Sequence, residues 1–258
     1  MCGAFSELLY DKILDKSANL CYNYISELCA VGDVFLSGIL FGVSVGPGDP
    51  ELVTLGAVRA IDRCRIVAVP RTRGESSLAL SIAEQAADIS GKEIAFFDFP
   101  MSRDRTEWEK SHFEAAADIC DRLSDGDDVA MLCLGDISVY STFSYIAERV
   151  KKNGFACRWI AGVTSFCAAA SVCGSPLVSG NEPLIVIPAS ADNFSELIAQ
   201  NGTKVIMKPR VISDKLRSVL ESRSFFAVSD CGMPDERIYM DINDIPADGS
   251  YFTVFIVK

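Results

Sequence analysis

The sequence predicts an α/β architecture: a mostly parallel sheet with helices on both faces, then a smaller mixed α/β lobe. Three observations lead there. From Ile39 onward, short apolar runs of strand length alternate with stretches of helical periodicity. Gly- and Pro-rich turns follow several of those runs. Of the 258 residues, 49% are apolar, enough for a sizeable core.

Residues 1–36 stand apart. Ile13, Leu14, Ser17, Leu20, Cys21, Tyr24, Ile25 and Leu28 trace an amphipathic stripe closed by Gly32, and no chemistry is expected of this extension. A buried strand is expected over 39–45. The turn Gly46-Pro47-Gly48-Asp49-Pro50 follows, with Asp49 as N-cap, Pro50 at the first helical position and Glu51 at the positive end of the dipole. Leu52, Leu55, Val58 and Ile61 then recur at helical spacing.

Strands are expected at 65–69 (ended by Pro70), 93–97, 127–134 and 155–160, with helices at 76–87, 106–123 and 139–150 between them. This βαβ repetition implies parallel pairing. Beyond Gly162 come a small-residue helix at 165–172, strands at 184–187, 203–207, 225–228 and 251–257, and helices at 194–199 and 212–220. The division expected is an extension 1–36, an N-terminal domain 37–161 and a C-terminal domain 162–258.

A net charge of −11 argues against general nucleic-acid binding and against a polybasic membrane patch. No apolar run is long enough to span a bilayer, and no basic-then-apolar leader is seen. A cytoplasmic protein is therefore expected. The ten cysteines form no Cys-x-x-Cys pair and mostly lie in apolar or helical segments; with one histidine, they read as reduced core residues, and no metal site is expected. That histidine, His112, reads as a surface residue of a charged helix.

Chemistry gathers at strand-to-helix turns, the place where open α/β sheets hold ligands. The first is 46–50. The second is Gly135-Asp136-Ile137-Ser138, where Asp136 either caps a helix or accepts hydrogen bonds from a ribose or amino group. The third is Gly162-Val163-Thr164-Ser165, whose hydroxyls cap a helix or meet a ligand.

The run 42–55 (Gly-Val-Ser-Val-Gly-Pro-Gly-Asp-Pro-Glu-Leu-Val-Thr-Leu), the run 135–142 (Gly-Asp-Ile-Ser-Val-Tyr-Ser-Thr) and Gly162-Val163-Thr164-Ser165 resemble, in order, the signatures of the tetrapyrrole methylases. Within that family the chain most resembles the C20-methyltransferases of precorrin-2 and cobalt-factor II, through Val69-Pro70, Gly74-Glu75-Ser76-Ser77, Phe99-Pro100-Met101-Ser102-Arg103-Asp104 and Met233-Pro234-Asp235-Glu236-Arg237. The likeness spans 37–258. Two departures stand out: Ile137 where the family usually has Pro, and Ser44 where it usually has Gly.

The resemblance implies a two-domain fold with a Rossmann-like parallel sheet first and S-adenosylmethionine (SAM) between the domains. Pro47, Gly135, Asp136, Val139, Thr164, Ser165, Met207, Cys231, Gly232 and Met233 would line its pocket. Met207, read without the family, is an ordinary core residue at a strand end. The implied activity is methyl transfer to C20 of precorrin-2 or its cobalt chelate in corrin biosynthesis, by a homodimer. The alternatives are a methylase of the same fold with other regiochemistry and a non-catalytic SAM-binding protein.

The ring carbon must lose a proton. Asp49 is the candidate base, or else a helix cap alone. Because the substrate is ringed by carboxylates, basic residues must gather locally; Arg71 and Arg103, just past strand ends, are expected to face it, with Tyr140 beside them.

Overall fold

The computed structural model describes residues 37–71, 77–100, 104–209, 211–246 and 251–258. The helix expected within 1–36 and the substrate residue Arg103 lie outside the described residues. The chain divides into two units, and the one described is Gly38–Lys258.

Its first sheet holds β1 (Leu40–Ser44), β2 (Ile66–Arg71), β3 (Glu93–Asp98), β4 (Val129–Cys133) and β5 (Cys157–Ile160), in the spatial order β3-β2-β4-β1-β5 with every pairing parallel. The central strands β1 and β4 are buried along their whole length, so they read as continuous apolar runs. Alternate residues serve opposite faces. Leu40, Ile66, Val129 and Met131 pack under α3 (Arg105–Ser124) and α4 (Phe143–Lys152). Phe41, Val43, Val67 and Leu132 pack under α1 (Leu55–Arg63) and α2 (Leu78–Ala86).

Several sequence expectations need correction. The helix expected from Pro50 is split: Asp49 caps only a 3-10 turn, Pro50–Leu52, and α1 begins at Leu55 with Thr54 as its cap. The apolar spacing misleads here, because Leu55 is 74% exposed while the small residues Ala57 and Ala60 join Ile61 on the sheet. Pro70 does not end β2. It lies beyond the last β2–β4 pairing, Ala68 with Met131, where one flank of the strand has no ladder to complete. Helix α4 starts at Phe143 rather than 139, because Tyr140 adopts φ 48°, outside the helical region.

His112 is not a surface residue. Only 2% of it is exposed; its ring stacks on Trp108 at 3.9 Å between centroids and meets Phe99 and the edge of Tyr145. Charged neighbours along α3 hid an aromatic pocket built by Trp108 one turn earlier and by Phe99 and Tyr145 from outside the helix.

The second sheet has the order β6-β7-β10-β8-β9, formed by β6 (Leu184–Pro188), β7 (Thr203–Met207), β8 (Phe225–Ser229), β9 (Arg237–Tyr239) and β10 (Val254–Val257). Only β6 and β7 pair in parallel. One face is covered by the alanine-rich helix α5 (Ser165–Val172), the other by α6 (Phe194–Ala199) and α7 (Asp214–Ser222). Strand β9 was not expected, since three residues carry no period to read. Among the described residues, no helix is long and apolar enough to cross a membrane.

Candidate active site

Strands β1 and β4 are neighbours, but their connections leave in opposite senses. The chain after β1 runs to α1 on one face, and the chain after β4 runs to α4 on the other. Their carboxyl ends therefore diverge and open a crevice.

Backbone hydrogen bonds tie the turns at that crevice together. The Gly135 N–H donates to the Gly46 carbonyl at 2.7 Å and the Gly46 N–H to the Gly135 carbonyl at 3.3 Å. Both glycines have φ 73°, where a side chain would be strained. Asp136 links the second turn to the third: one carboxylate oxygen accepts from the Gly162 N–H at 2.7 Å, and the other accepts from the Ser138 N–H at 2.9 Å and the Ser138 hydroxyl. Burial opposes ionisation of this carboxyl, yet these donors hold it below the usual Asp range. Thr54 adds a tether, its hydroxyl donating to the Ala161 carbonyl at 3.3 Å.

The first turn also rests on the loop after β8. A Cβ built on Gly48 would lie 2.2 Å from the Cys231 carbonyl oxygen, and one on Gly232 would lie 2.4 Å from the Asp49 nitrogen. Close backbone contact thus joins the crevice of the first sheet to the second. Between them lies a cavity of about 260 Å³.

Pro47, Gly135, Asp136 and Val139 line that cavity from the first sheet's turns. Thr164, Ser165, Met207, Cys231 and Met233 line it from the other side, as does Tyr140 between them. Three expected site residues among those described do not line it. Gly232 lies behind the wall against Asp49, and the Asp49 carboxylate accepts from the Glu51 N–H at 2.8 Å. Arg71 is also outside the lining: its Nε donates to Asp98 at 2.9 Å and its guanidinium lies 4.5 Å over the Phe96 ring. Arg63 and Arg65 sit at the amino ends of the strands, paired with Asp128 and Asp127.

Two thiols belong to the cavity wall, Cys133 and Cys231, and burial pushes both up to about 12. They are protonated at neutral pH. With Met207 and Met233 they make a wall that is soft, apolar and uncharged. Among the described lining residues, only Asp136 and Lys208 carry charge. Lys208 was missed by sequence reasoning; the available signal was a lysine immediately after a fully buried strand.

Comparison with known proteins sets this geometry in context. Residues 40–246 match the family model for tetrapyrrole (corrin/porphyrin) methylases. A probable cobalt-precorrin-2 C(20)-methyltransferase of Methanocaldococcus jannaschii is 31% identical over 226 residues, covering 85% of this chain and 95% of that protein. The cobalt-precorrin-2 C(20)-methyltransferase of Salmonella typhimurium is 29% identical over 237 residues, covering 86% and 97%. Among solved structures, the uroporphyrin-III C-methyl transferase of Thermus thermophilus complexed with S-adenyl homocysteine superposes with a TM-score of 0.61 at 18% identity, covering 85% of this chain and 97% of that one.

Proposed function

Since this chain belongs to the tetrapyrrole (corrin/porphyrin) methylases, we propose that it transfers a methyl group from SAM to C20 of cobalt-precorrin-2 or of precorrin-2, in corrin biosynthesis. The curated relatives named above support the regiochemistry, and their names favour the cobalt chelate. The observation that carries the reading is the convergence of Pro47, Asp136 and Thr164, from three separate turns, on one cavity. In the proposed division of labour, 37–161 supplies the crevice and 162–258 closes it.

The cavity residues suit the donor. When bound, SAM supplies an electrophilic methyl on a sulfonium whose charge disappears in the transfer. Anionic walls would hold that charge better before transfer than during it and slow the reaction. The protonated Cys133 and Cys231 and the thioethers of Met207 and Met233 avoid this. Asp136 is already held by its three donors, so we assign it to fixing the turns and presenting the backbone around Gly135 and Val139 to the donor. Thr164 and Ser165 open α5 at the facing wall. Rigid placement of donor and acceptor supplies about 7–11 kcal/mol in favourable cases.

For proton removal we retain Asp49 as the proposed base. One oxygen is spent on the Glu51 N–H, and the other has no partner among the described residues. Arg71 and Arg103 are proposed to meet the acceptor's carboxylates alongside Tyr140, with Arg71 exchanging its Asp98 partner. We further propose a cytoplasmic homodimer, which light scattering of the purified protein tests.

The deciding experiment is anaerobic incubation with SAM labelled at the methyl carbon, with precorrin-2 and its cobalt chelate in parallel reactions, read by NMR. One label at C20 is expected. Label at another ring carbon, or SAM binding without transfer to either tetrapyrrole, refutes the reading. Asp49→Asn is expected to lower kcat by about 10²–10⁴ with KM little changed; near-normal turnover by both Asn and Ala variants would reduce Asp49 to a cap.

A further inference from the structure

The donor-site reading leaves one cation of the cavity without a task. Lys208 follows β7 directly, with φ 56°, a left-handed conformation that a lysine rarely adopts. Its Nζ donates to the Tyr140 carbonyl at 2.9 Å. Tyr140 is itself left-handed, at φ 48°, and its hydroxyl donates to the Val186 carbonyl at 3.4 Å. Two strained residues, one after β4 and one after β7, are thus joined across the cavity they both line. Strain of this kind collects where the surrounding structure holds it for a purpose.

The charge balance is unusual. Asp136, the anion among the described lining residues, is engaged by three donors from Gly162 and Ser138 and does not pair with Lys208. No carboxylate among the described residues lies within 4.0 Å of the Lys208 ammonium. In a protein of net charge −11, this half-buried ammonium forms no ion pair among the described residues. A buried cation is costly unless an anion joins it. The Tyr140 carbonyl takes one of its N–H donors and leaves two for a ligand.

We propose that Lys208 is the carboxylate anchor of the cavity, its ammonium aimed by the Tyr140 carbonyl to grip a carboxylate of the bound ligand. This rests on the proposed function, in which two ligands bring carboxylates: the amino-acid tail of the donor and the acid side chains of the macrocycle. Burial lowers the lysine's pKa, so the grip weakens on the alkaline side earlier than an exposed lysine would allow.

The test compares wild type, Lys208→Met, Lys208→Gln and Lys208→Arg in two binding arms that need no turnover. Calorimetry gives the Kd for S-adenosylhomocysteine; absorbance titration gives the Kd for precorrin-2 and its cobalt chelate. The Met and Gln variants are expected to lose about 10- to 100-fold in one arm, the worth of one hydrogen bond to a charged group, and the Arg variant to recover most of it. Loss in the first arm assigns the donor's carboxylate, and loss in the second the acceptor's. Affinities within twofold of wild type in both arms overturn the proposal. So does a fall in kcat alone, which would make Lys208 a proton-transfer group. If wild type binds these ligands but methylates neither tetrapyrrole, the functional reading fails, while the binding arms still decide Lys208.

Discussion

Ser44 Oγ accepts a hydrogen bond from the Ile137 N–H at 2.9 Å, across 93 residues of chain and with no solvent access. These are the positions where the family usually carries Gly and Pro. A proline at 137 has no N–H to donate and a glycine at 44 has no hydroxyl to receive it, so the two departures compensate each other. Ser44→Gly alone strands a buried N–H and is expected to cost about 1–3 kcal/mol. Ile137→Pro alone removes the donor and the side chain packed beside Gly42 and Phe143. The double variant should cost less than the sum, by about 0.5–3 kcal/mol in urea unfolding; additive losses would deny the coupling. The sequence marks both residues as departures but not their partnership, because a pairing between distant positions has no periodic signal. Asp136 was half legible: its bond to Ser138 is local, whereas its bond to Gly162 depends on two strand ends meeting.

Helix α3 shows the same limit for an element. Its extent was readable from its pattern to within a residue at each end, but its cap, Asp104, emerged only in the structure, and its buried face was misjudged at His112. The Nδ1 of His112 faces the Trp108 carbonyl at 2.7 Å, the contact of a neutral ring donating there, and its Nε2 is buried without a partner among the described residues. Burial is the main force lowering its pKa; Arg149 adds to it, while the Trp108 carbonyl and Glu109 oppose it. An unfolded histidine titrates near 6.5, above the folded value, so the unfolded chain binds more protons in the window between them. Stability is accordingly full above about pH 6.5 and declines as pH falls, by up to about 1.4 kcal/mol per unit. His112→Phe should flatten that decline in melts run from pH 7.5 to 5; an unchanged slope would place its origin elsewhere. The split of α1 from the turn before it has a simpler cause. A leucine at helical spacing looked like core, but the sheet surface accepted Ala57 and Ala60 and left Leu55 outside.

For the molecule as a whole, the cavity has walls from both sheets, so a ligand that fills it should stabilise them together. S-adenosylhomocysteine at a hundredfold its Kd is expected to add about 2.7 kcal/mol, raising Tm by about 5–10 °C in a single transition. Two transitions, of which only one moves, would show the ligand held by one sheet alone. The parallel first sheet, the existence of its flanking helices and the three glycine-bearing turns that meet at the cavity were readable in the amino-acid order. Each depends on short-range rules: apolar periodicity, capping residues, and glycine or proline at chain reversals. The bond of Asp136 to Gly162, the pairing of Ser44 with Ile137, the burial of His112 and the place of Lys208 in the cavity wall were not readable. Each depends on which distant groups exclude water from one another, a relation created when separate strand ends and helices pack against each other.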